Sequence, residues 1–360
     1  MNKWLALHKR LYSFSAYNVF LYANFLLLFT ITFDLEFLYP QIVKLLTAYF
    51  ITGVAGYFIN DFFDIEKDKT SGKFNITNLF HRHWVLLLII ILLVIGFLIL
   101  KSISEIAFYI LFVEIFVLLV YSVKPFRLKE KGFLGVITDS IYAHVLPAII
   151  LIEIVNEYMF VSNWLWLCFV LLNFSIGIRD ILLHQFNDYD KDLKSGTNTF
   201  FINNVLLSKK LISWFEELSN LIIIIFLGLL YLESNLFYIL VVDILVFFYW
   251  LFKLVKKNNE VNYLIRFYVL ISSIFMLIFS NNRLTSLLLL IHPFNIQIST
   301  HYAIKLWPKI LFFFNKVKIL LSHIYKSKIT LLINYILFFS FLLIGRNLKK
   351  KPLYHKKPKK

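Results

Sequence analysis

The chain has 360 residues, of which 60% are hydrophobic and only 16% charged, and its mean hydropathy is +0.76. That leaves too little polar surface for a water-soluble domain and points to a helical membrane protein. The formal charge of +16 would suggest nucleic acid in a soluble protein. Here 14 of the 37 Lys and Arg follow residue 299 and most others sit in short loops between apolar runs, so no nucleic-acid partner is expected.

The N-terminus carries Lys9 and Arg10 ahead of a first apolar stretch, 17–33. No small-residue cleavage site follows, so the stretch reads as a retained helix rather than a signal peptide. Further spans are expected at 41–59, 84–100, 105–123, 134–152, 164–183, 219–232, 236–252 and 263–280. The runs are continuous rather than alternating, which favours helices over strands in lipid. Cys168 lies within one of these runs and is the only cysteine, so neither an intramolecular disulfide nor a cysteine metal site is available. The N-terminus and the loops after spans 2, 4, 6 and 8 hold about 20 cations, whereas the opposite loops hold little beyond Lys101. The positive-inside rule therefore puts the basic set in the cytoplasm, and a bacterial cytoplasmic membrane is the expected location.

Span 2 ends in Asn60, Asp61, Asp64 and Asp68. At about 100° per residue, Asp61 and Asp68 share nearly one azimuth and Asp64 lies about 60° away. If the helix continues, these carboxylates form one stripe whose mutual repulsion a hard cation with oxygen ligands would relieve. A solvated acidic helix end is the competing reading.

After span 4 comes Tyr121, Ser122, Lys124, Pro125, Arg127 and Lys129. These cations suit diphosphate oxygens, although positive-inside charge alone would also produce them. The Lys-Pro step ends the helix near Lys124. After span 6, Arg179 is followed by Asp180, His184, Asp188 and Asp192 in steps of four, which covers one broad helix face. Gly196 suits the helix stop. Two carboxylate stripes on one side of a helix bundle are able to bridge metal ions. Within spans, Glu114 and Asp243 are costly in lipid and are expected to face a cavity or a partner. Asp139 and His144 are expected near the cavity mouth.

The tail, 281–360, is expected to form a separate basic extension beyond a bundle at 1–280. Its segments 284–298 and 329–345 are apolar enough to enter a membrane, and 302–328 interleaves aromatics with Lys, as on an amphipathic helix at anionic lipid.

In order and spacing, these motifs resemble the UbiA superfamily of intramembrane prenyltransferases over roughly 17–280. The resemblance implies nine transmembrane helices around a cavity capped on the cytoplasmic side. It also implies Mg²⁺ and prenyl diphosphate held by Asp61, Asp64, Asp68, Asp188 and Asp192. Asn60, Tyr121, Lys124, Arg127, Lys129, Arg179, Asp180 and His184 make up the candidate substrate-binding set. Many members read Lys-Pro-x-Arg-Pro after the first motif, where this chain has Lys69 to Asn75, and many carry an acidic residue in place of His184. The implied reaction is prenyl transfer to an acceptor, with an aromatic ring favoured over a sugar phosphate or glycerol lipid. A transporter or lipid-binding protein is the reading from another class. Transporter sites lie near the bilayer midplane, whereas the acidic clusters here lie at helix ends.

Overall fold

A computed structural model describes residues 39–158, 160, 162–234 and 237–256. Among them the fold is all helical. The helices are α1 (Tyr39–Ser71), α2 (Arg82–Lys101), α3 (Glu105–Ser122), α4 (Phe133–Ser140), α5 (Leu146–Asn156), α6 (Asn163–Ser195), α7 (Phe200–Asn203), α8 (Val205–Ser234) and α9 (Phe237–Lys256). Among the described residues, six helical stretches are long and apolar enough to cross a membrane, with α4 and α5 counted as one rod. The expected spans 17–33 and 263–280 and the tail 281–360 lie outside the described residues.

The lengths of α1 and α6 explain how the bundle carries polar chemistry. Each has 33 residues, or about 50 Å at 1.5 Å per residue, against a hydrocarbon core of about 30 Å. Their last turns therefore project beyond the lipid, and those turns hold the aspartate motifs. α6 starts on a Ser162 cap whose hydroxyl accepts from Leu165 N–H, and it stops at Gly196 with φ of +63°, a left-handed conformation that favours glycine. α2 is the contrasting case. It buries only a narrow stripe including Val85, Ile89 and Gly96, and it turns Trp84, Ile90, Val94 and Leu98 outward, as lipid allows.

The expected span 134–152 is one rod interrupted by a π turn at Ile141–Val145. Pro147 follows directly. Its ring removes a backbone N–H and crowds the preceding turn, and the wider π turn accommodates both. Tyr49 of α1 donates its hydroxyl to the Pro147 carbonyl, which ties α5 to α1. α4 and α6 approach closely at Gly177, where a Cβ would lie 2.4 Å from Ser140 Oγ; small residues permit such approaches between membrane helices.

α8 begins at Val205, well before the expected 219. Lys209, Lys210, Glu216 and Glu217 mask this stretch in a hydropathy reading. Its inner face nevertheless keeps helical spacing, with Ser208, Ile212, Glu216, Ser219, Asn220 and Ile223 all buried.

Candidate active site

α1, α3 and α6 bring their C-terminal ends to one end of the bundle. Contacts between side chains far apart in sequence join those ends.

The first motif folds its own downstream loop back onto α1. Asp61 is 2% exposed and accepts the Ile76 N–H at 2.8 Å on Oδ2. Asn75 donates to the Asp61 carbonyl and to Asp68 Oδ2, both at 2.7 Å. Its own carbonyl oxygen Oδ1 caps Thr77 N–H. The loop that carries Lys73 is therefore pinned to the acidic stripe.

Lys73 then reaches the second motif. Its ammonium lies 2.9 Å from Asp188 Oδ2 and 2.6 Å from Asp192 Oδ1. Burial opposes the Lys73 charge, but the hydrogen bonds to Asp192 and Asp188 outweigh it and hold the pKa above the ordinary value.

The loop after α3 meets Asp64. Arg127 donates from Nη2 to Asp64 Oδ1 at 2.6 Å, and Lys129 donates to Asp64 Oδ2 at 2.5 Å. Arg127 also donates to the Ser122 carbonyl and to Glu130. It holds φ of +41°, a left-handed conformation uncommon outside glycine. Glu130 takes Lys67 of α1 at 2.5 Å. Burial pushes the Lys129 pKa below its ordinary value despite Asp64, with Arg127 adding to the depression. Burial works the other way on Glu130, yet hydrogen bonds from Lys67 and Arg127 hold its pKa below the usual carboxylate value.

The remaining expected residues divide into two groups. Asn60 accepts Ser122 Oγ–H at 2.5 Å, and Tyr121 packs against Tyr142 with ring centroids 5.2 Å apart. Both belong to the gathered site. Arg179 and Asp180 form a buried unit with Glu216. Arg179 is 1% exposed, its Nη1 lies 2.9 Å from Glu216 Oε2 and its Nη2 lies 2.7 Å from Asp180 Oδ1. Lys124 is exposed. The His184 side chain is 71% exposed and its Nε2 lies 3.8 Å from Asp188 Oδ2.

Among the described residues, no three His, Cys, Asp or Glu groups converge as a metal-binding cluster. The acidic groups are interleaved with cations instead. Lys73, Glu130, Tyr142 and Glu216 are the participants that motif spacing misses. Lys73 counted only as loop charge, and Glu216 lay outside the expected span. An acidic residue at the register of an inward-facing helix stripe was the available signal for Glu216.

The UbiA prenyltransferase family profile matches residues 17–291. A UbiA homolog from Archaeoglobus fulgidus, solved bound to GPP and Mg²⁺, is 17% identical with a TM-score of 0.56 and covers 80% of this chain and 99% of its own. The same homolog bound to DMAPP and Mg²⁺ gives 17% identity, the same coverage and a TM-score of 0.55. No curated protein sequence matches the chain.

Proposed function

The chain belongs to the UbiA prenyltransferase family, and from that premise we propose that it transfers a prenyl group from a prenyl diphosphate to an acceptor nucleophile, an aromatic ring being favoured. The observation that carries the reading is the convergence of both aspartate motifs with Arg127, Lys129 and Lys73 at one end of the bundle. The excess of basic loops on that side makes it the cytoplasmic one.

The donor set fits Mg²⁺. It consists of hard carboxylate oxygens, and each motif already draws cationic nitrogens to within 3 Å. Asp64, Asp68, Asp188 and Asp192 would hold the ion, with Asp61 at the most buried position. When bound, Mg²⁺ supplies neutralisation of the charge on the leaving diphosphate. The A. fulgidus homolog, solved with GPP or DMAPP and Mg²⁺, supports this donor class.

The chain's own groups do the rest. Arg127 and Lys129 are fixed through Asp64, Ser122 and Glu130 and present donors to diphosphate oxygens, where negative charge grows as the allylic C–O bond breaks. Asn75 and Asp61 keep the Lys73 loop against the same end. Aromatic faces such as Tyr121 and Tyr142 stabilise a developing allylic cation, and the helix walls exclude water from it.

The test is transfer from labelled prenyl diphosphates by membranes carrying the protein. Asp64→Ala and Asp188→Ala are each expected to abolish Mg²⁺-dependent transfer and pyrophosphate release while the protein still inserts. Full turnover by either variant refutes the proposal.

A further inference from the structure

Both oxygens of Asp64 are taken, Oδ1 by Arg127 Nη2 at 2.6 Å and Oδ2 by Lys129 at 2.5 Å. Once Asp64 serves a hard cation instead, both nitrogens lose that contact. Among the described residues, Lys129 hydrogen-bonds through its ammonium only to Asp64. Arg127 keeps two further anchors. Its Nε donates to Glu130 Oε1 at 2.6 Å and its Nη1 to the Ser122 carbonyl at 3.2 Å. A guanidinium is planar and its donors form a rigid fork. Two fixed donors therefore set its plane and leave Nη2 directed at the space beside Asp64.

Glu130 is held without help from any motif carboxylate. The same Oε1 accepts Lys67 of α1 at 2.5 Å, and Lys67 lies about one helical turn beyond Asp64. The Glu130 backbone belongs to a short 3₁₀ turn, Leu128–Glu130. Glu130 N–H donates to the Arg127 carbonyl at 3.1 Å, and Lys131 N–H donates to the Leu128 carbonyl at 2.8 Å. This turn lies directly against α4. A Cβ on Gly135 would come 2.5 Å from the Leu128 carbonyl oxygen and 3.0 Å from Lys129 Cα. The Glu130 backbone is thus seated on α4 and its carboxylate is stitched to α1, so its grip on Arg127 outlasts the release of Asp64.

Building on the prenyltransferase reading, we propose that Glu130 is a positioning residue that acts through Arg127, keeping the guanidinium aimed at the diphosphate after Asp64 has been given up to the metal.

The test is the Kd of labelled DMAPP with Mg²⁺, measured on the full chain in lipid nanodiscs. Arg127→Met is expected to weaken binding about 30-fold and Glu130→Ala about tenfold. In the Arg127→Met background, Glu130→Ala is expected to add less than about twofold, because two residues that act as one unit do not add. Glu130→Gln keeps an acceptor oxygen at the same place without the charge, and is expected to return binding to within about threefold of the wild type. Glu130→Asp keeps the charge but withdraws the oxygen by one methylene. It is expected to bind about fivefold more weakly, and it takes the place of the alanine variant in the cycle if that variant does not fold. Additive losses in the cycle overturn the proposal. So does unchanged binding in the variant used for the cycle, or a Gln variant as weak as that variant. Failure of the wild-type chain to bind labelled DMAPP with Mg²⁺ instead overturns the prenyltransferase reading beneath it.

Discussion

Replacing Lys73 by Met removes the cation that joins the two motifs while keeping a long apolar side chain. Lys73 makes two charge-assisted contacts, at 2.9 Å to Asp188 and 2.6 Å to Asp192, with 24% of its side chain exposed. Such bonds net about 1.5–3 kcal/mol each when buried. Solvent screening at this exposure reduces each to roughly 1 kcal/mol. A divalent cation that takes these oxygens must first displace the ammonium, so its binding is opposed by about 2 kcal/mol, or roughly 30-fold in affinity. Without metal, Lys73→Met takes the ammonium from Asp192 and leaves Asp188 with Lys191 and His184, and it is expected to be less stable than the wild type. With metal, it is expected to bind Mg²⁺ more tightly. The assay is thermal unfolding of detergent-solubilised protein over a Mg²⁺ series, with Mn²⁺ binding by electron paramagnetic resonance as a direct readout. Equal metal affinity in both proteins, or weaker affinity in the variant, refutes the displacement argument.

Three further outcomes are expected. Glu216→Ala leaves the buried Arg179 with one of its two carboxylate partners and is expected to cost about 3 kcal/mol in denaturant unfolding, with Arg179→Met plus Glu216→Leu costing less. Gly177→Ala puts a Cβ 2.4 Å from Ser140 Oγ and 2.9 Å from Ser140 Cα, so it is expected to spread α4 from α6 at about 1–3 kcal/mol, visible as a lower Tm. Glu130 has its folded pKa below the ordinary 4.5. The unfolded chain therefore binds more protons there, and the stability Glu130 contributes is whole above pH 4.5 and lost as pH falls through the folded pKa. Glu130→Gln is expected to flatten that part of the stability–pH curve.

Much of the candidate site's local geometry was legible in the sequence. The i, i+4 spacing of Asp188 and Asp192 and the stripe from Asp61 to Asp68 are local helical patterns, and both helices do continue through their motifs to Ser71 and Ser195. Gly196 stops α6 as its conformational freedom suggests, and α3 ends at Ser122, two residues before Lys124. His184 shared the azimuthal face of Asp188 in the spacing argument but is 71% exposed. A face defined by steps of four is about as wide as half a helix, and only packing decides which edge of it is covered. α8 runs longer than its apolar stretch for the converse reason. Its charges lowered the hydropathy of a segment whose buried Glu216 pairs with Arg179 of α6.

The amino-acid order alone therefore determined the membrane class and the positions of both carboxylate motifs. Each of these is a property of consecutive residues meeting lipid or water. The tertiary structure decided which charge answers which. Lys73 meets Asp192 across 119 positions, Asp64 meets Lys129 across 65, and Arg179 meets Glu216 across 37. Ion pairs at such separations exist only once helices have packed, because the Coulomb energy that selects them depends on distance in space and on the dielectric that burial creates.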